Sequence, residues 1–216
     1  MAISFKYLSA LRKIIHFFFL KLIKNQFNDL EMGIFNRLFG KKEMAQNSEN
    51  LMNENKFWGI IESSKSRSSG NYEKQQTVLK QELQNLTALE VLEFDNTFRT
   101  LRGKIYNWDF WAAAYIINGG CSDDCFSDFR GWLIGQGKDT YETAITNIEN
   151  LTTLNDTNNG DWEGLSYVAM EVYMKKTGKE MPTGIRENFE IGGIEWEENE
   201  TELQTKYPKL YEKWGM

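Results

Sequence analysis

Apolar side chains recur along this chain at the three- and four-residue intervals that put them on one face of an α-helix. Tyr72, Leu79, Leu83 and Leu86 form one such stripe, and Val91, Phe94, Phe98, Leu101 and Ile105 form the next. Thr87 and Glu90 stand three apart just before the second stripe, the spacing of a reciprocal capping box. Trp108, Trp111, Ala112, Tyr115 and Ile116 give a third helical face, and Phe110, Ala113, Ala114 and Ile117 fill the other sides. That helix is expected to be buried all round. Asn118-Gly119-Gly120 ends it, because Asn and Gly tolerate the left-handed conformation of a helix C-terminus. Ser122 is placed to cap the following helix, with Asp123 and Asp124 in a first turn that favours negative charge. Phe126, Phe129 and Leu133 stripe that helix, so the two together predict an αα-hairpin at the centre of the domain.

The flanking segments follow the same pattern. Phe57, Ile60 and Ile61 predict a short helix closed by the loop SKSRSSGN, and KDTYETAITNIENLTTL predicts a helix and a short turn. Trp162, Leu165, Ala169, Val172 and Tyr173 stripe a helix that stops at Thr177-Gly178, with Pro182 beyond it. In YPKLYEKWG, Tyr207, Leu210, Tyr211 and Trp214 predict a last short helix packed back on the body. The fold class is therefore all-α: a compact multi-helix domain over 52–216 around a central αα-hairpin. Residues 1–51 read as a flexible N-terminal extension and linker.

Charge divides the chain at the same place. Residues 1–50 carry 8 Lys/Arg against 4 Asp/Glu, while residues 51–216 carry 17 against 27. An acidic domain repels a phosphate backbone, which argues against nucleic-acid binding. The basic, aromatic run LRKIIHFFFLKLIK is too short to span a bilayer and is interrupted by Lys21 and Lys24. MGIFNRLFGKK, residues 32–42, sets Ile34, Phe35, Leu38 and Phe39 beside Arg37, Lys41 and Lys42. That pattern permits weak membrane-surface contact, so the expected location is cytoplasmic with peripheral attachment at the inner membrane surface. Met32 and Met52 are alternative starts to Met1.

Chemistry is sparse. His16, the only histidine, lies outside the domain, which removes Ser-His and Cys-His nucleophilic schemes from it. Cys121 and Cys125 in CxxxC spacing are expected to be thiols of a reducing compartment. They lack the further ligands of a zinc site, and the spacing is not that of a dithiol oxidoreductase. NDTNNGD resembles a calcium loop but puts Gly160 where a ligand should stand and Tyr167 at position twelve, so it reads as a solvated loop. No metal or other cofactor is implied. The candidate ligand-binding residues are Asp109, Trp111, Asp123, Asp124, Asp128 and Arg130. Arg130 lacks a carboxylate one helical turn before it. A buried guanidinium there needs a partner, for which Asp109 is the candidate, or an anionic ligand. In the acidic tail, Trp196, Glu197 and Glu198 are candidate docking residues for a protein partner.

The run WAAAYIINGGCSDDCFSDFRGWLIGQG resembles the domain of unknown function 4240 family, found mainly in bacteria. MNENKFWGIIESSK, YVAMEVYMKKTGKEMP and YPKLYEKWG extend the resemblance over residues 52–214. Cys125 departs from the family's small residue after the Asp pair. The resemblance implies a domain boundary and no activity. The favoured reading is a binding, regulatory or protein-interaction module. The alternatives are a carboxylate-based enzyme built on the Asp-rich motif, with or without a divalent metal, and an acidic immunity-type inhibitor of a basic partner.

Overall fold

The computed structural model describes residues 49–155, 160, 162–185, 190–197 and 200–215. All lie in one contact unit, Ala45–Met216. The expected extension, with the membrane-contact stretch 32–42, lies outside the described residues apart from its last three positions. Among the described residues nine α-helices and two 3₁₀ helices follow one another, with no strand, only an isolated bridge between Asn107 and Gly192.

The helices are α1 (Glu54–Ser68), α2 (Tyr72–Gln84), α3 (Ala88–Lys104), α4 (Trp108–Asn118), α5 (Asp123–Gly135) and α6 (Lys138–Thr146). The 3₁₀ helices Ile148–Thr153 and Glu163–Tyr167 precede α7 (Val168–Thr177), and α8 (Glu200–Lys206) and α9 (Pro208–Trp214) close the chain. Asparagines begin many of them: Asn53, Asn71, Asn107 and Asn147 each accept a backbone N–H two or three residues on. These caps satisfy donors that the first helical turn leaves unmade.

The capping box before α3 forms as expected. The Thr87 hydroxyl accepts from Glu90 N at 3.2 Å, and Glu90 Oε2 accepts from Thr87 N at 2.7 Å. Lys56 Nζ, 2.7 Å from Glu90 Oε1, and the two hydrogen bonds with Thr87 hold the Glu90 carboxyl down to about 2. The folded value lies below the unfolded one, so this contribution to stability is complete above the ordinary carboxylate range near 4.5. It is lost as pH falls towards 2. Thr87→Ala is expected to cost about 1 kcal/mol at neutral pH. Urea titrations at pH 7 and pH 3 check this, since the penalty should have begun to shrink at pH 3, about one unit above the folded value and below the unfolded one.

Two sequence expectations give way. α1 runs on through SKSRS rather than stopping there, because Ser64, Ser66 and Ser68 return their hydroxyls to carbonyls three residues back. Ser64 and Ser68 are also buried, so packing overrides their turn preference. In the stripe ending at Gly178, Trp162 precedes and Leu165 lies within a 3₁₀ turn, and the α-helix proper begins at Val168.

The core is continuous. Trp132, Phe126, Phe129 and Leu133 of α5 are essentially inaccessible, as are Phe57 and Ile61 of α1 and Leu79 and Leu83 of α2. α2 and α3 both pack on α7, and α5 packs on α3, α4, α6 and the second 3₁₀ helix. The predicted hairpin thus stands inside the domain. Gly119, at φ +63°, turns the chain out of α4 as required, and its N–H bonds Tyr115 O. α4 is not buried all round: Trp108, Asp109, Trp111 and Tyr115 are half-buried on its outer side.

Candidate functional site

The last turn of α3 and the middle of α5 bring two arginines together. Arg102 and Arg130 are only 9% and 7% exposed. Arg130 Nη1 donates to the Arg102 carbonyl at 3.3 Å. Arg102 Nη2 donates to Ser127 Oγ at 2.6 Å and to the Ser127 carbonyl at 3.3 Å. Aromatic faces take up the flat sides of the guanidinium groups. Arg130 lies 4.7 Å from the Tyr106 ring centre and 5.2 Å from that of Phe126, and Arg102 lies 5.9 Å from that of Phe98. A planar, weakly hydrated cation suits this environment as a lysine ammonium would not.

Asp128 and Tyr167 border the pair, and Ser166 lies near Gly131 on the same helix as Arg130. Burial pushes the Tyr167 phenol above its usual range, and Glu163 and Asp128 push the same way against Arg102. One phenol therefore feels both Asp128 and Arg102. Ser166 Oγ is buried with no hydrogen-bond partner among the described residues, and it lies 3.2 Å from where a Cβ on Gly131 would sit. Asn118 Oδ1, at the end of α4, is likewise buried without a partner among those residues. The cluster therefore sets two planar cations against aromatic rings and the Ser127 hydroxyl.

The residues singled out in the sequence divide between several places. Asp128 and Arg130 belong to the cluster. Asp109 does not reach Arg130: its Oδ1 accepts from Tyr207 at 2.5 Å and from Lys206 at 2.9 Å. Burial pushes the Asp109 carboxyl up, but the hydrogen bonds from Tyr207 and Lys206 outweigh it and hold the group below its ordinary value. Trp111 stacks between Trp108 and Phe126, with ring centres 5.2 and 5.0 Å away, and its Nε1 donates to the Cys121 carbonyl. Asp123 and Asp124 are exposed in the first turn of α5.

Trp196, a candidate docking residue, is 6% exposed. It turns inward against Trp108 and Tyr115 and donates to the Trp108 carbonyl at 3.0 Å. Glu197 is exposed, and its N–H bonds Glu202 Oε2, while Glu198 lies outside the described residues. Cys121 and Cys125 are joined in a disulfide across the hairpin turn, correcting the expectation of thiols. The αL turn at Gly119 and the Ser122 cap fold the chain so that the two side chains meet. No group of three His, Cys, Asp or Glu stands at metal-binding distance among the described residues.

Arg102, Ser127, Tyr106, Ser166 and Tyr167 escaped the sequence reading. For Arg102 a signal existed: it stands at i+4 from Phe98, on the edge of an otherwise apolar stripe. The serines and tyrosines arrive from separate elements and carry no pattern of their own.

No helix among the described residues is long and apolar enough to cross a membrane. The family model described as protein of unknown function (DUF4240) matches residues 52–175, more than half of the chain. YPKLYEKWG lies beyond the matched span. No curated protein and no solved structure matches the chain.

Proposed function

We propose, for a chain that belongs to the DUF4240 family of proteins of unknown function, that it is a binding module whose arginine pair receives a carboxylate or phosphate group. The observation that carries this reading is the burial of two arginines, Arg102 and Arg130, each at least nine-tenths buried and packed on aromatic rings, with the Arg130 guanidinium donating to the Arg102 carbonyl. The planar donor fork of an arginine suits a carboxylate or phosphate oxygen, and this region presents two such forks. Asp128 and Arg102 both act on the Tyr167 phenol, which marks the edge of the region. A carboxylate-based enzyme is less well supported, because Asp109 is engaged by Lys206 and Tyr207 and the other acidic residues of the hairpin lie apart from it.

Thermal unfolding tests the reading, with inorganic phosphate and sulfate in one arm and succinate in another. Ligand at a hundredfold excess over its dissociation constant should add about 2.7 kcal/mol. That corresponds to a rise in melting temperature of roughly 5–10 °C for a domain of this size. Sodium chloride at matched ionic strength should not reproduce the rise. Arg130→Met should abolish it while the chain stays helical by circular dichroism. A rise that survives in both Arg130→Met and Arg102→Met, or no rise with any anion, would refute the arginine site. The arm that responds distinguishes a phosphate-bearing ligand from a dicarboxylate.

A further inference from the structure

The C-terminal segment lies on α4 in the way a helical ligand lies in a groove. Gly192 exchanges backbone hydrogen bonds with the start of the helix, its N–H donating to Tyr106 O and its carbonyl accepting from Trp108 N. Trp196 then sets its ring against the half-buried Trp108 and Tyr115. Leu203, Tyr207 and Leu210 follow at i, i+4 and i+7, and all three are buried. Leu203 stands on α8, Leu210 on α9 and Tyr207 at the non-helical junction between them, so each piece of the segment contributes a buried anchor. α9 rests on α4 and on the 3₁₀ helix Ile148–Thr153, where Lys209 N donates to Glu149 Oε1 and Lys213 Nζ to Thr152 O.

Three features separate this segment from the body it covers. The described residues between Gly178 and Glu200 form no helix, so the segment is joined to α7 by non-helical chain. Its ion pair to the body, Lys206–Asp109, has side chains 39% and 50% exposed, and such pairs hold weakly. The family match ends at residue 175, before the segment begins, and takes in every groove residue of α4.

We propose that residues 190–215 are a releasable strap. It opens as one unit and uncovers Trp108, Tyr115 and Asp109 as a docking groove. The groove's partner is a peptide segment of the strap's own chemistry: aromatic and aliphatic anchors in the order of Trp196, Leu203, Tyr207 and Leu210, with a lysine beside the tyrosine to meet Asp109. This inference is independent of the arginine site.

Hydrogen exchange on the full chain tests it. Segments that open locally exchange faster than the core that unfolds globally. Amides of α8 and α9 should exchange on the order of tenfold or more faster than those of α3 and α5 under native conditions. Asp109→Asn should quicken the strap again and leave α3 and α5 unchanged. A labelled peptide of residues 190–215 should bind the Trp196→Ala/Leu210→Ala variant of the full chain at least about tenfold more tightly than the wild type, whose groove is filled. Strap and core amides exchanging in step would overturn the proposal. So would a folded double variant that ignores the peptide. Should the double variant fail to fold, the exchange measurement on the wild type decides alone.

Discussion

Replacing Trp132 by alanine is expected to remove about 4 kcal/mol of stability, within the range for emptying a large buried aromatic site. Trp132 is wholly inaccessible and lies on the central helix α5, with Phe129 5.3 Å away ring to ring. Its Nε1 donates to Tyr72 Oη at 2.8 Å, and Tyr72 in turn stacks on Trp162. The substitution therefore opens a cavity between α5 and α2 and also takes away a buried donor. Trp132→Phe separates the two effects, since it keeps most of the ring and loses only the indole N–H. The expected penalty for Trp132→Phe is about 1.5 kcal/mol, one buried hydrogen bond with a modest packing loss. Urea denaturation followed by far-ultraviolet circular dichroism measures both. Equal penalties for the two variants would mean that the hydrogen bond, not the packing, dominates at this position.

Trp132 also illustrates which parts of the molecule can be read without coordinates. The hairpin was legible because its signals are local. Asn118-Gly119-Gly120 tolerates the left-handed turn that ends a helix, Ser122 caps within three residues, and Thr87 with Glu90 closes a capping box over the same distance. Each is settled by neighbours a turn apart. Features that depend on distant chain were not legible. Asp109 is drawn to Lys206 and Tyr207, 97 and 98 positions along, so no inspection of its own surroundings could divert it from Arg130. α8 lies in a stretch whose acidic composition reads as a solvated tail, and it exists because Leu203 finds the body. The loop reading of SKSRSSGN failed for the opposite reason. Serine's taste for turns is weak, and the Gln75 amide, which donates to Gly135 O and lies 3.5 Å from Ser64 Oγ, makes the end of α1 worth burying. The same limit governs the candidate site: Arg130 was visible as an oddity, but Arg102 and Ser166 come to it only through the packing of α3 and the second 3₁₀ helix on α5.

Gly137→Ala is expected to cost about 3 kcal/mol, and two separable effects combine to give that figure. Gly137 joins α5 to α6 at φ +93° and ψ 170°, a conformation that side chains rarely adopt and that carries a penalty of about 1–3 kcal/mol. A Cβ there would also stand 2.1 Å from Glu62 Oε1. That oxygen is not idle: it accepts from Lys138 N at 2.9 Å and so caps α6 from α1, in place of the side-chain cap that the Gly137 position itself lacks. Alanine must push the carboxylate away and leave the first turn of α6 uncapped. A double-mutant cycle with Glu62→Ala apportions the cost. Glu62→Ala alone should cost about 1 kcal/mol, the worth of a helix cap. In the Glu62→Ala background, Gly137→Ala should retain only its backbone penalty, so the two losses sum to more than the double variant shows. Strict additivity would place the whole effect in the backbone and remove Glu62 from the junction between α1 and α6.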